Sequence, residues 1–288
     1  LKIKEINQEN PENHFNLGLT MEILGYLSAI LIGVSLGLIG GGGSILTVPI
    51  MVYLSGVTPV VATAYSLFVV GSSSLVGGLQ KWKEGFVDIK STIVFGIPSI
   101  VAVYAVRKYA VPAIPEELFQ WGDFVFSKSL ALMLLFAVLM LLASVSMLKK
   151  KKAEDSTQEP APQVKKFNYP LILVEGLVVG AITGLVGAGG GFLIIPALVL
   201  LAGLPMKQAV GTSLMIIAIK SLIGFLGDVG GETPIDWSYL ASFSALAIGG
   251  IFVGNLLSRR IHGDSLKYAF GWFVLLMGTF IIIKELAF

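Results

Sequence analysis

The stretch "GLIGGGGSILTVPI", residues 37–50, sets four consecutive glycines between two apolar segments and follows them with a proline. A phosphate-binding loop is the first reading to test. It fails, because no Lys-Ser or Lys-Thr follows the glycines, the order G-x-G-x-x-G is absent, and the preceding segment is too long and apolar for a Rossmann strand. Glycines can instead unwind a helix, since they accept backbone conformations closed to other residues. What such a break serves depends on its surroundings.

Those surroundings are those of a membrane protein. Of 288 residues, 55% are hydrophobic and 13% charged, with a mean hydropathy of +0.85, whereas a soluble chain carries roughly a quarter charged residues. Apolar runs recur at 21–40, 60–80, 89–106, 129–148, 170–188, 207–227, 238–258 and 266–286, each near the about 20 residues of a spanning helix. Two shorter runs, 44–54 and 191–202, follow glycine clusters and are too short to span alone. The net charge of +2 is small and gives nucleic-acid binding little support. The absence of cysteine removes thiol relays, thiolate metal sites and disulfides. Residues 1–20 form a polar arm without the h-region and small-residue cleavage site of a signal peptide, and the chain begins without Met, as a trimmed or processed end would.

A shift of 147 positions aligns "GVSLGLIGGGGSILTVPIMVYLSG" (33–56) with "GAITGLVGAGGGFLIIPALVLLAG" (180–203). Over 33–79 the match needs no gap, and about 18 of 47 positions are identical, more than shared hydrophobicity produces. The expected organisation is therefore a first membrane repeat at 21–148, a polar linker at 149–168 and a second repeat at 169–288. Gly33 and Gly37, with Gly180 and Gly184, have the spacing of close-packing helix faces. The clusters Gly40 to Gly43 and Gly187, Gly189, Gly190, Gly191 exceed what packing needs. Backbone freed from a helix at membrane depth is tolerated where it lines a cavity or binds something, and the N-terminus of the helix that follows carries partial positive charge suited to an anion.

If each break is a hairpin, a repeat has five segments, and the odd number turns the second copy upside down. The cytoplasmic loops then hold Lys81, Lys83, Lys90, the lysines of 149–166, Lys207, Arg259, Arg260 and Lys267, while 55–59 and 228–236 hold no basic residue, as the positive-inside rule asks. Arg107, Lys108 and Lys128 dissent. The expected fold is thus an all-α polytopic membrane protein of two inverted repeats, about eight full transmembrane helices and two short segments, with both termini outside.

The glycine breaks with their prolines, "ATAYSL" and "VGTSL", and the loops "GFVDIK" and "TPIDWSY", all repeated, resemble the TauE/SafE sulfite exporter family, also called TSUP permeases. The resemblance covers nearly all of 21–286. It implies a multi-pass transporter of the cytoplasmic membrane for a small sulfur-containing anion such as sulfite, thiosulfate or an organosulfonate, without a cofactor. A proton or sodium ion is the candidate coupling ion; the anion itself, the direction of transport and the oligomeric state stay open.

Lys220, near mid-membrane, is the first candidate substrate contact, because a lysine there costs roughly 2.5–3.5 kcal/mol on insertion scales. The competing reading is an ion pair with Glu175. The glycines Gly41, Gly42, Gly43, Gly189, Gly190 and Gly191 would offer N–H groups. Ser44, Thr63, Ser66, Thr212 and Ser213 would offer hydroxyls, with Thr47, Ser72, Ser73, Ser74 and Ser221 nearby, although in membrane helices such hydroxyls often bond to their own helix. Asp88 and Asp236 read first as N-caps and second as coupling sites, and Asn255 and Asp228 are weaker candidates. His14 and His262 lie in polar segments and support neither a zinc site nor a catalytic triad. An enzyme would need clustered acids or metal ligands at depth, and a channel a continuous hydrophilic path.

Overall fold

The computed structural model describes residues 11–121, 124–148, 169–231, 234–258 and 263–287. The linker at 149–168 and the first half of the polar arm at 1–20 lie outside the described residues, as do Arg259, Arg260 and His262, while residues 11–20 of the arm belong to the first helix.

Among the described residues the chain is helical apart from one hairpin and the connecting turns. Helix α1 (Pro11–Ile39) ends in a 3-10 turn, Gly40–Leu46, followed by α2 (Thr47–Tyr53), α3 (Pro59–Lys83) and α4 (Ile89–Ala113), the last passing through a π-helical turn at Val106–Ala110. Helix α5 (Lys128–Leu148) closes the first half. The chain continues with α6 (Tyr169–Val186), an irregular segment at 187–190, α7 (Gly191–Leu200), α8 (Met206–Leu226), α9 (Trp237–Leu257) and α10 (Gly263–Ala287). The sequence pattern does not announce the hairpin, Glu117–Trp121 paired antiparallel with Phe124–Ser127, where Phe119 stacks on Phe126 at 4.7 Å. Its alternation of apolar and polar residues is short and falls inside what reads as a loop.

Among the described residues, α3, α4, α5, α8 and α9 are long and apolar enough to cross a membrane. The apolar parts of α1 and α6, Ile23–Leu38 and Pro170–Val186, are shorter because the glycine breaks cut them off. The outward faces carry large apolar side chains such as Leu31, Leu142, Leu256 and Leu276, as a lipid-facing surface requires.

Helix directions follow from the glycine contacts. Gly33 and Gly37 of α1 lie on Gly250 and Gly254 of α9, so these helices run parallel. Gly180 and Gly184 of α6 lie on Ser99 and Val103 of α4 in the same sense. The small-residue spacing thus packs α1 and α6 each against a helix of the other half. Helices α3 and α8 cross antiparallel, with Gly71 against Leu222 and Gly78 against Met215. Helices α5 and α10 are also antiparallel, with Gly278 by Met140 and Gly271 by Met147.

Candidate functional site

The two glycine breaks touch. Gly41 lies against Gly191 backbone to backbone, and a Cβ on either would overlap the other. Gly189 is boxed in by Val70, Ile217 and Ser44, and Gly187 rests on Thr63. Close approach therefore explains Gly41, Gly187 and Gly191, a packing role that the sequence pattern suggests only outside the breaks, for Gly33, Gly37, Gly180 and Gly184. Gly40, Gly187 and Gly190 have φ of 73°, 71° and 72°, a region L-residues seldom enter, and this is where the helices stop. Gly42 and Gly43 lie in the same 3-10 turn, with Gly43 against Ser35 and Leu36 of α1.

Lys220 projects from α8 into this region and is 0% exposed. Its Nζ donates to Thr183 Oγ1 at 2.7 Å. The ammonium also sits beside Gly190, where an added Cβ would come within 3.0 Å of it. Gly190 is the N-cap of α7, a ten-residue helix, and its carbonyl accepts from Leu193 and Ile194. The N–H groups of Gly191 and Phe192 in the first turn have no intrahelical acceptor. An ammonium and a helix N-terminus thus share one corner. Among the described ion pairs, Lys220 takes part in none.

The ion pair with Glu175 is not formed. Glu175 stands eight residues before Thr183 on α6, about 12 Å along the axis. One of its carboxylate oxygens, Oε2, is buried without a hydrogen-bond partner. Thr183, which does meet Lys220, carries no signal in the sequence, because its counterpart under the 147-residue shift is Leu36.

The hydroxyls divide into three groups. Ser44 donates to Gly41 O at 2.7 Å, Thr63 to Val60 O at 2.7 Å, Ser213 to Val210 O at 2.8 Å and Ser72 to Val69 O at 3.1 Å, the local bonding expected of membrane helices. Thr212 Oγ1 instead accepts from Asp88 N at 2.9 Å and ties α8 to the start of α4. Ser66, Ser73, Ser74, Ser221 and Thr47 are buried, and their hydroxyls have no partner. Ser66 and Ser73, seven residues apart, share one face of α3, as Ser213 and Lys220 do on α8.

Asp88 and Asp236 are N-caps, accepting from Ser91 N at 2.7 Å and Tyr239 N at 3.0 Å. Asn255 donates to Gln80 Oε1 between α9 and α3. Asp228 has a larger role than the sequence suggested. Arg107, 1% exposed, donates from Nε and Nη2 to its two carboxylate oxygens at 2.7 and 2.6 Å. Arg107 Nη1 reaches Thr63 Oγ1 at 3.0 Å and Gly184 O at 3.3 Å. Burial pushes the Asp228 carboxyl up, and the Arg107 charge and hydrogen bonds pull it back. In the sequence, Arg107 was only a charge at the wrong end of a span.

A chain with these apolar helices, two internal breaks in contact and a buried cation beside the second is a multi-pass membrane transporter in class. Residues 26–281 match the family model described as Sulfite exporter TauE/SafE, and the protein belongs to that family. It is 27% identical over 265 residues to a "Probable membrane transporter protein" of Xylella fastidiosa (strain 9a5c), covering 89% of this chain and 93% of the relative. It is 28% identical over 271 residues to "Probable membrane transporter protein YunE" of Bacillus subtilis (strain 168), covering 86% and 92%. With "Probable membrane transporter protein MJ0441" of Methanocaldococcus jannaschii the identity is 25% over 278 residues, covering 88% and 94%. No solved structure matches the chain. The protein is a transporter and not an enzyme.

Proposed function

We propose that the protein carries a small sulfur-containing oxyanion, such as sulfite, thiosulfate or an organosulfonate, across the cytoplasmic membrane by alternating access around Lys220. The observation that carries this reading is a fully buried ammonium beside a helix N-terminus, hydrogen-bonded to Thr183 and in no described ion pair. An isolated buried charge is costly, and two positive groups converging at membrane depth suit an anion that arrives and leaves. The buried, unpartnered hydroxyls of Ser66, Ser73 and Ser221 are candidates to complete its coordination as the halves move. The family's printed name supplies the sulfur chemistry.

Inverted repeats at 21–148 and 169–288 are supported by the helix directions. Helices α3 and α8, equivalent under the 147-residue shift, cross antiparallel, and α1 meets α9 in the same manner as α6 meets α4. Opposite orientation of equivalent helices is what inversion requires. The dissent of Arg107 and Lys128 from the positive-inside pattern has a physical reason, since both are buried and each has a carboxylate nearby, so neither acts as a free loop charge. The loop with Lys81 and Lys83 then faces the cytoplasm. The backbone contact of Gly41 with Gly191 favours a carrier over an open pore, because the crossing of the breaks is packed shut. With Asp88 and Asp236 used as caps, Glu175 is the carboxylate best suited to coupling with a proton or sodium ion.

A thermal-shift screen of the purified protein with sulfite, thiosulfate, sulfate and small sulfonates tests this reading. A ligand at a hundred times its Kd adds about 2.7 kcal/mol. Selective stabilisation by sulfur oxyanions, strongly reduced on Lys220→Met, is expected; no shift with any of them contradicts it.

A further inference from the structure

We infer that the outer mouth of the protein holds a second anion subsite, in which Arg107 and Lys128 take a small oxyanion that exchanges with the Asp228 carboxylate. The inference rests on the transport reading above for the side it calls outer and for the class of anion.

A cavity of about 290 Å³ opens where α3 begins and α4 and α8 end, and Arg107, Lys128, Glu116, Asp228 and Tyr65 line it. At about 30 Å³ per water, that volume takes a small oxyanion with several waters. Both cations are buried, but their partners differ. Lys128 lies 3.6 Å from Glu116, whose side chain is 78% exposed, so the ammonium is fixed at the wall while its counter-ion stands in solvent. Arg107 is held by Asp228 through two parallel hydrogen bonds. That fork fits any pair of oxygens on one centre, whether carboxylate, sulfite or sulfonate. Asp228 is carried on a turn between Gly227 and the glycines Gly230 and Gly231, with Gly230 at φ 82°, a backbone able to swing the carboxylate aside.

The position joins the cavity to the Lys220 corner. Arg107 Nη1 bonds to Gly184 O, and the residue before it, Thr183, accepts from Lys220. Arg107 also bonds to Thr63, on which Gly187 of the second break rests. Asp228 thus acts as a built-in anion that occupies Arg107 until an oxyanion replaces it, and the exchange unlocks α8 from α4 at the mouth.

The test is titration calorimetry of thiosulfate into the purified full chain in halide-free buffer. Asp228→Asn removes the competing charge at nearly constant shape, and the affinity should rise at least tenfold. Lys128→Gln, whose partner is exposed, is the variant least able to harm folding, and it should weaken binding at least tenfold in the Lys220→Gln background, where only the outer subsite remains. Unchanged affinity in both Asp228→Asn and Lys128→Gln overturns the subsite. Complete loss of binding in Lys220→Gln also overturns it, and leaves the central site standing. If Lys220→Gln leaves the affinity unchanged while Asp228→Asn and Lys128→Gln move it, the outer subsite holds and the central site fails.

Discussion

Replacing Lys220 by Met separates ligand binding from folding. Met keeps most of the side-chain length and removes the charge. Among the described residues the ammonium's hydrogen bond goes to Thr183, and Thr183 also donates to Gly180 O at 3.2 Å, so its hydroxyl proton keeps a partner after the substitution. The loss on that side is about 1 kcal/mol. Against it stands the cost of an isolated charge in a site that is 0% exposed, which for an unpaired ion exceeds a hydrogen bond. Without ligand, the variant should therefore melt at or above the wild-type temperature. Binding should change in the opposite direction. A cation and an anion about 4 Å apart attract by about 4 kcal/mol at an effective dielectric constant of about 20, which corresponds to roughly a thousandfold in Kd. Calorimetry with thiosulfate should show that loss. A Lys220→Met protein that melts normally and binds thiosulfate with wild-type affinity refutes the assignment, and a large drop in melting temperature without ligand shows that Lys220 is structural.

Three further outcomes follow from the packing. Gly191→Ala should cost about 1–3 kcal/mol by overlapping the Gly41 backbone, whereas Gly96→Ala, with nothing near its added Cβ, should be neutral or slightly stabilising; thermal unfolding compares them, and equal melting temperatures contradict the packed breaks. Arg107→Ala leaves Asp228 without its partner and should lower stability by about 3–5 kcal/mol, with Arg107→Lys recovering only part because a lysine cannot form the fork; an Arg107→Ala protein as stable as wild type would count against the clamp. Cysteines introduced at Lys83 and Val229, both exposed, should react with an impermeant maleimide from opposite faces of the membrane, Lys83 from the cytoplasm, with no background from native cysteine. Reaction of both from one face excludes the inverted orientation.

Much of the fold is legible in the sequence because its signals are local or repeated. The apolar runs match most helices to within a few residues, and the 147-residue repeat marks the position of both glycine breaks. Asp88 and Asp236 read as caps because a carboxylate just before an apolar run has one common use, and both are caps. The partner of Lys220 is not legible. Charge complementarity points to Glu175, but helix geometry places that carboxylate two turns from the hydroxyl that meets the ammonium. Arg107 and Asp228 are 121 residues apart, in segments outside the gapless repeat match, so nothing local joins them. The packing role of Gly41 and Gly191 is hidden for the same reason, since a contact between two breaks leaves no periodicity in either. The hairpin at 117–127 escapes notice because its strands are shorter than the patterns that distinguish a strand from a loop.

Counterflow of ³⁵S-thiosulfate in proteoliposomes tests most directly whether this protein is an oxyanion carrier built around Lys220. Vesicles preloaded with unlabelled thiosulfate should take up the labelled anion faster than empty ones, and this acceleration should vanish with Lys220→Met protein reconstituted to the same level. Uptake that is indifferent to preloading indicates a channel, and acceleration retained by Lys220→Met places the anion elsewhere; either result contradicts the account.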